Sequence, residues 1–225
     1  MKSKLLILLA CLSFKTASTQ KTVGVEQYYY MRSGENATIV PMAHYTSSRN
    51  WYGEARYNYD ELETFSLYAG RTFMNSGLLS WSATPVIGGL IGKMTGGSVG
   101  LNMDMDFDKL FLSSQSQYSF SMDERKDRFF FSWSELGYQA TPWLFGGMAM
   151  QQTNLYKALG TLETGYMLGF SLRNWTIPFY IFSPADKNQV HIVMGLNWEW
   201  QNSKKIKKNF QPSVVTNTAE SGVRK

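Results

Sequence analysis

Cysteine is almost absent from this 225-residue chain. The single one, Cys11, lies in a leader, so the rest of the chain can build neither a disulfide nor a thiolate metal site. Histidine is nearly as scarce, with His44 and His191 standing alone and sharing no ligand spacing, so neither a metal nor a cofactor is expected. Charged residues are only 17% of the chain, little for a soluble surface. Long apolar runs are missing as well: beyond the leader no stretch approaches the ~18 residues that read as a membrane helix. Yet aromatics reach 15%, and the mean hydropathy is −0.26. A helical membrane protein is far more apolar. A chain in which greasy and polar residues alternate averages out near this value.

The net charge of +5 and the pI near 9.2 come from the two ends. Lys2, Lys4 and Lys15 sit in residues 1–19, and Lys204, Lys205, Lys207, Lys208, Arg224 and Lys225 against Glu220 sit in residues 203–225. What lies between is net acidic, with no broad basic face, so no nucleic-acid partner is expected.

The first 20 residues run from a basic start through an apolar stretch, Leu5 to Phe14, to small residues. This is the pattern of a secretory signal peptide, with cleavage expected after Ser18 or Thr19. Leu9-Ala10-Cys11 faintly resembles a lipoprotein cleavage box, but only six apolar residues from Leu5 precede Cys11, which favours ordinary cleavage.

From Gly24 to Trp200 the chain alternates. The clearest case is Val190–Trp200, where Val190, Ile192, Met194, Leu196, Trp198 and Trp200 share one parity and His191, Val193, Gly195, Asn197 and Glu199 the other. Successive strand residues face opposite sides, so this is a strand with one greasy face and one mostly polar face. Val99–Phe107 sets Val99, Leu101, Met103, Met105 and Phe107 against Gly100, Asn102, Asp104 and Asp106. Carboxylates at every second position do not belong in a sandwich core but suit a wet lumen. The remaining expected strands are Gly24–Arg32, Ala37–Thr46, Trp51–Tyr59, Glu63–Phe73, Leu78–Ile91, Leu110–Phe120, Arg128–Gln139, Trp143–Thr153, Leu162–Leu172 and Trp175–Phe182. Two readings inside them are awkward. Pro41 cannot donate to a ladder, which points to a bulge, and Trp133 and Glu135 share a parity, leaving the facing of their strand open.

About 12 strands (10–14) of membrane-crossing length predict an all-β fold, an antiparallel transmembrane β-barrel, with residues 1–19 as signal peptide, 20–202 as barrel and 203–225 as a disordered basic tail. An even count puts both termini on one side, the periplasm. Then GKMTGG, MDERKD, NLYKALG and PADKN fall outside, and the shorter SSRN, NSG, DK, TP and N fall inside, as outer-membrane barrels require.

On these grounds the chain resembles small outer-membrane β-barrel proteins of Gram-negative bacteria. The resemblance covers residues 24–200 and rests on the leader, the alternation, strand-end aromatics such as Trp51, Trp175, Trp198 and Trp200, and a final strand close to the usual assembly signal. The chain departs from that signal in carrying 25 residues beyond Trp200. The resemblance implies the outer membrane as location, with its lipid and the barrel-assembly machinery as partners, and no particular functional residues. The basic tail offers a contact for a periplasmic partner.

The lumen-lining candidates are His44, Glu54, Arg56, Asn102, Asp104, Asp106, Gln115, Gln117, Glu163, His191, Asn197 and Glu199, with Glu135 on the ambiguous strand. Trp51, Tyr57, Trp81, Trp175, Trp198 and Trp200 are read as a membrane belt, with sugar or nucleoside stacking inside the pore as the sharper alternative. The expected function is a small passive channel for polar solutes with a mildly acidic lumen. Two alternatives stand beside it: a closed structural or assembly-partner barrel, and a lipid-active enzyme in which His44, His191, Glu199 and Glu26 converge. A soluble ligand-binding barrel is the main structural alternative. No nucleophile is fixed to either histidine, so no catalytic residue is assigned.

Overall fold

The computed structural model describes residues 21–122, 128–155, 161–186 and 189–201. The expected signal peptide, the basic tail, and parts of the MDERKD, NLYKALG and PADKN connections lie outside the described residues. The strands are β1 (Thr22–Arg32), β2 (Thr38–Thr46), β3 (Trp51–Tyr57), β4 (Thr64–Arg71), β5 (Phe73–Asn75), β6 (Leu79–Gly92), β7 (Gly96–Phe107), β8 (Leu110–Ser121), β9 (Arg128–Thr141), β10 (Leu144–Leu155), β11 (Thr161–Leu172), β12 (Trp175–Phe182) and β13 (His191–Gln201). β4 and β5 both pair with β6 and are parted only by Thr72, so they form one staved strand and the wall has twelve.

Each strand pairs antiparallel with its sequence neighbour, and β1 closes the wall against β13, from Thr22↔Gln201 to Arg32↔His191. Closure leaves no free edge, the condition for a sheet to stand in hydrocarbon. Both described ends, Lys21 and Gln201, sit at one rim, which also carries the short turns at 47–50, 108–109 and 173–174. Asn50, Asp108 and Arg173 adopt positive φ in those turns. The other rim carries the longer connections, except at 93–95, where the expected GKMTGG loop shrinks to three residues because β6 runs to Gly92 and β7 starts at Gly96.

The outer face is apolar. Leu67 is 56% exposed, Ile87 66% and Leu172 71%, values that make sense only where lipid replaces water. The outward serines of β8 and β9 satisfy one another: Ser114 pairs with Ser134 at 2.9 Å and Ser116 with Ser132 at 2.8 Å. Trp51, Trp175 and Trp200 stand exposed at the rim of the termini, as does Trp143 in the β9–β10 turn, while Trp198 pairs across to Trp175 and Trp81 lies near the same end of β6. Tyr57 is exposed at the opposite rim.

Two local expectations need correcting. Pro41 causes no bulge: the β1–β2 register runs unbroken through Gln27↔Pro41, and β2 pairs with β3 only from Met42 onward. The missing donor thus falls where one ladder has stopped, and Asn58 Nδ2 reaches over to cap the Ile39 carbonyl at 3.0 Å. The register shift in the wall lies instead between Leu144 and Phe145. Tyr59 does not continue β3 on the lipid face. Asn58 takes φ 58°, which ends the strand and swings Tyr59 inward.

The interior is lined rather than filled uniformly. Aromatic rings lie flat on the wall because each faces a glycine across the ladder: Tyr28 on Gly195, His44 on Gly24, Tyr68 on Gly88, Phe111 on Gly137 and Phe145 on Gly169. A Cβ on any of these glycines would strike the ring above it. Glycine here makes room for a large side chain to lie down instead of projecting into the lumen.

Candidate functional site

The lumen has two unlike walls. The β8–β13 wall carries Phe111, Phe145, Ala149, Met167, Tyr180, Phe182 and Val193 as one buried cluster, with Tyr28, Tyr30 and Trp133 packed against it. Strand alternation sends these inward while Leu136, Tyr166, Leu168 and Phe170 of the same strands face out. Trp133, whose facing the sequence left open, stands in the lumen. Its indole packs edge-on to Tyr180 at 5.0 Å and Phe182 at 5.1 Å, and its Nε1 donates to Glu135 at 2.7 Å. Tyr180 OH donates to the same carboxylate oxygen at 2.7 Å. Trp133 and Glu135 therefore share a parity because they are partners.

The facing wall, β1–β7, carries charge. Arg56 is 1% exposed and pairs with Glu54 at 2.9 Å. Tyr52 OH donates to Glu54 at 2.9 Å. The Arg56 guanidinium lies between the Tyr59 and Tyr68 rings, 4.4 Å from each centroid, and its Nη1 donates to Gln117 Oε1 on β8 at 2.6 Å. In the sheet order β3 and β8 are separated by β4, β6 and β7, so this bond spans the lumen. A second bridge runs beside it, from Tyr59 OH to Gln115 Oε1 at 2.9 Å.

Tyr59 and Asp60 belong to the turn joining β3 to β4. Positive φ at Asn58 and Glu63 and bonds from Asn58 N to Thr64 O at 3.0 Å and Glu63 N to Asn58 Oδ1 at 2.8 Å close it on itself. It folds inward, and Asp60, 8% exposed, accepts from Ser66, from Tyr68 at 2.7 Å and from Gln117 Nε2 at 2.5 Å. Three donors on a desolvated carboxylate hold the turn in place. Sequence reasoning missed this feature, and the available signal was Asn58, a residue type that tolerates the left-handed region and caps its own turn.

The two histidines do not converge. His44 sits with Glu26, Nδ1 to Oε1 3.3 Å, and stacks on Tyr52 at 6.3 Å; Glu199 lies at the same level, since both His44 and Glu199 pair with Gly24. His191 pairs with Arg32 at the opposite end of β1, about 26 Å away along the strand at roughly 3.3 Å per residue. There it faces Glu163 at 3.9 Å, which Arg32 approaches at 3.8 Å. Length separates the histidines, although β2 and β13 are near neighbours.

Of the other candidates, Asn102, Asp104 and Asp106 share the inward parity of β7. Asp104 accepts from Ser113 at 2.9 Å and Ser82 at 3.1 Å. Asn197 donates to Tyr28 OH at 3.2 Å, and Gln201 donates to Glu199 at 2.7 Å. Asp104, Asp106, Glu135 and Glu199 have no ion-pair partner among the described residues. At the outer mouth a cavity of about 250 Å³ is lined by Tyr30, Arg32, Tyr59, Phe131, Gln151, Glu163 and His191, among others.

No protein-family model matches the chain, and no curated protein is similar to it at the level of sequence. Solved structures are similar in fold. The KdgM porin superposes with a TM-score of 0.56 at 9% identity, over 78% of this chain and 98% of that one. The KdgM porin in complex with disordered oligogalacturonate gives 0.52 at 8% identity, over 80% and 99%. The NanC porin gives 0.51 at 9% identity, over 80% and 100%. The chain therefore has the closed, antiparallel, twelve-stranded barrel fold of outer-membrane porins.

Proposed function

We propose that this protein is an outer-membrane channel for small polar solutes, exported through a cleaved signal peptide, with a lumen that favours cations and neutral molecules over anions. The observation that carries the reading is the balance of charge inside the barrel. Glu54 is answered by Arg56, Glu26 by His44, and Glu163 by Arg32. Among the described residues, Asp104, Asp106 and Glu135 are met only by neutral donors or by none, and Glu199 lies at the level of His44, which is already paired with Glu26. An uncompensated carboxylate lining concentrates cations and repels anions at close quarters. The oligogalacturonate bound to the KdgM porin is a polyanion, and the lining here argues against that class of solute for this chain.

The test is planar-bilayer recording of refolded protein under a potassium chloride gradient. A cation-selective reversal potential, reduced in Asp104→Asn, is the expected outcome. Silence from barrels that pass a heat-modifiability gel assay counts against a channel.

A specific observation keeps a second reading in view. The bonds from Arg56 to Gln117 and from Tyr59 to Gln115 brace the lumen from wall to wall, as a closed structural barrel would require. Such a barrel would work through partners, with the basic segment at 203–225 as the contact. Loss of a co-purifying periplasmic protein on deletion of that segment is its test.

A further inference from the structure

Granting the conducting barrel proposed above, we infer that the β3–β4 turn sets the size limit of the passage, with Tyr59 as its specificity-determining side chain, and restricts it to solutes of about one sugar ring or one amino acid. Tyr59 does two things at once. It lines the cavity at the outer mouth, and its hydroxyl bonds across the lumen to Gln115 at 2.9 Å. Its ring also meets Phe131 of β9 edge-on, with centroids 5.5 Å apart. A solute leaving the outer cavity inward must therefore pass this ring.

The turn is built to stay there. Gln117 is the latch: its carbonyl accepts from Arg56 at 2.6 Å while its amide donates to Asp60 at 2.5 Å. Arg56 is held by Glu54 and by the two tyrosine rings. On the far side of the turn Leu90, Met94 and Phe129 form a second buried cluster, with Phe131 against it. The space behind Tyr59 is thus occupied, and the passage is pushed toward the aromatic wall of β9–β13. The outer cavity, about 250 Å³, falls below the ~300–1,000 Å³ of pockets that take drug-sized ligands. It accommodates a single small ring, and an oligomer would have to thread past Tyr59.

The experiment compares wild type, Tyr59→Ala and Gln115→Ala by single-channel current in potassium chloride and by swelling of liposomes in glucose, sucrose and raffinose. Tyr57→Ala, on the lipid face, serves as control, and all variants are first checked for the heat-modifiable barrel. Gln115→Ala removes the hydrogen-bond partner of Tyr59 from the opposite wall if Tyr59→Ala does not fold. The expected result is wild type that passes glucose and excludes raffinose, and Tyr59→Ala that admits raffinose with a conductance about twofold higher. A silent wild type with a conducting Tyr59→Ala would also support the turn as the constriction, while ending the reading of an open resting channel. Wild type that passes raffinose overturns the inference, as does a folded Tyr59→Ala indistinguishable from wild type. In that second case, the channel reading survives if both conduct and falls if both are silent.

Discussion

The two walls of this lumen solve the same problem in opposite ways. The β8–β13 wall is aromatic and disposes of its bulk by laying Phe111 and Phe145 over Gly137 and Gly169. The β1–β7 wall is charged and disposes of Arg56, Glu54 and Asp60 by bonding them to one another and to Gln117. A pore needs side chains that do not wander into its path, and packing does this on one side while ion pairing does it on the other. The walls differ in what they tolerate. A flat ring tolerates little added bulk beneath it, whereas a buried ion pair does not tolerate losing a partner.

The largest effect is expected on the charged wall. Arg56→Ala leaves the buried Glu54 without its cation and Gln117 without a donor and should cost about 3–5 kcal/mol, read as a shift in urea unfolding of the refolded barrel. Arg56→Lys should recover only part of this, because an ammonium cannot sit flat between two tyrosine rings while reaching both Glu54 and Gln117. On the aromatic wall, Gly137→Val and Gly169→Val should each cost about 1–3 kcal/mol by overpacking. They should also lower conductance in any barrel that folds, since the displaced ring has only the lumen to enter. Equal losses on the two walls would break the contrast.

Smaller effects sharpen it. Asp104→Asn and Glu199→Gln remove charge without removing shape, so cation preference should fall while unfolding changes little, as reversal potentials and unfolding midpoints will register. Acidification should act in the same direction, since protonation neutralises the lining and removes the preference as pH falls through the carboxylate range. The smallest change is expected outside the lumen: Tyr57→Phe, exposed at the rim, should stay within about 0.5 kcal/mol of wild type.

Most of the wall was legible in the sequence because a strand's faces are written at every second residue. Val99–Phe107, Leu162–Leu172 and Val190–Trp200 each declare a greasy side and a lumenal side, and the structure places them accordingly. The facing of β9 was not legible, because Trp133 looks like a belt residue until Glu135 and Tyr180 are seen to satisfy it. The inward turn was not legible either. In a strand Trp51–Tyr59, Tyr59 shares the parity of Trp51 and Tyr57, which face lipid, and nothing in a strand pattern announces that Asn58 will reverse it. The flat rings depend on register, on which glycine faces which aromatic across a ladder, and register is a property of paired strands. The same holds for the histidines, whose adjacency by strand order concealed their separation along the barrel.

One measurement tests the cation-favouring lumen most directly: the reversal potential of the refolded, full-length barrel under a tenfold potassium chloride gradient. Asp104, Asp106 and Glu135, without an ion-pair partner among the described residues, and Glu199 beside a His44 already paired with Glu26 predict a potential of the sign that cations set, moving toward zero in Asp104→Asn. A potential of the anion-selective sign, or no current through demonstrably folded barrels, would contradict it.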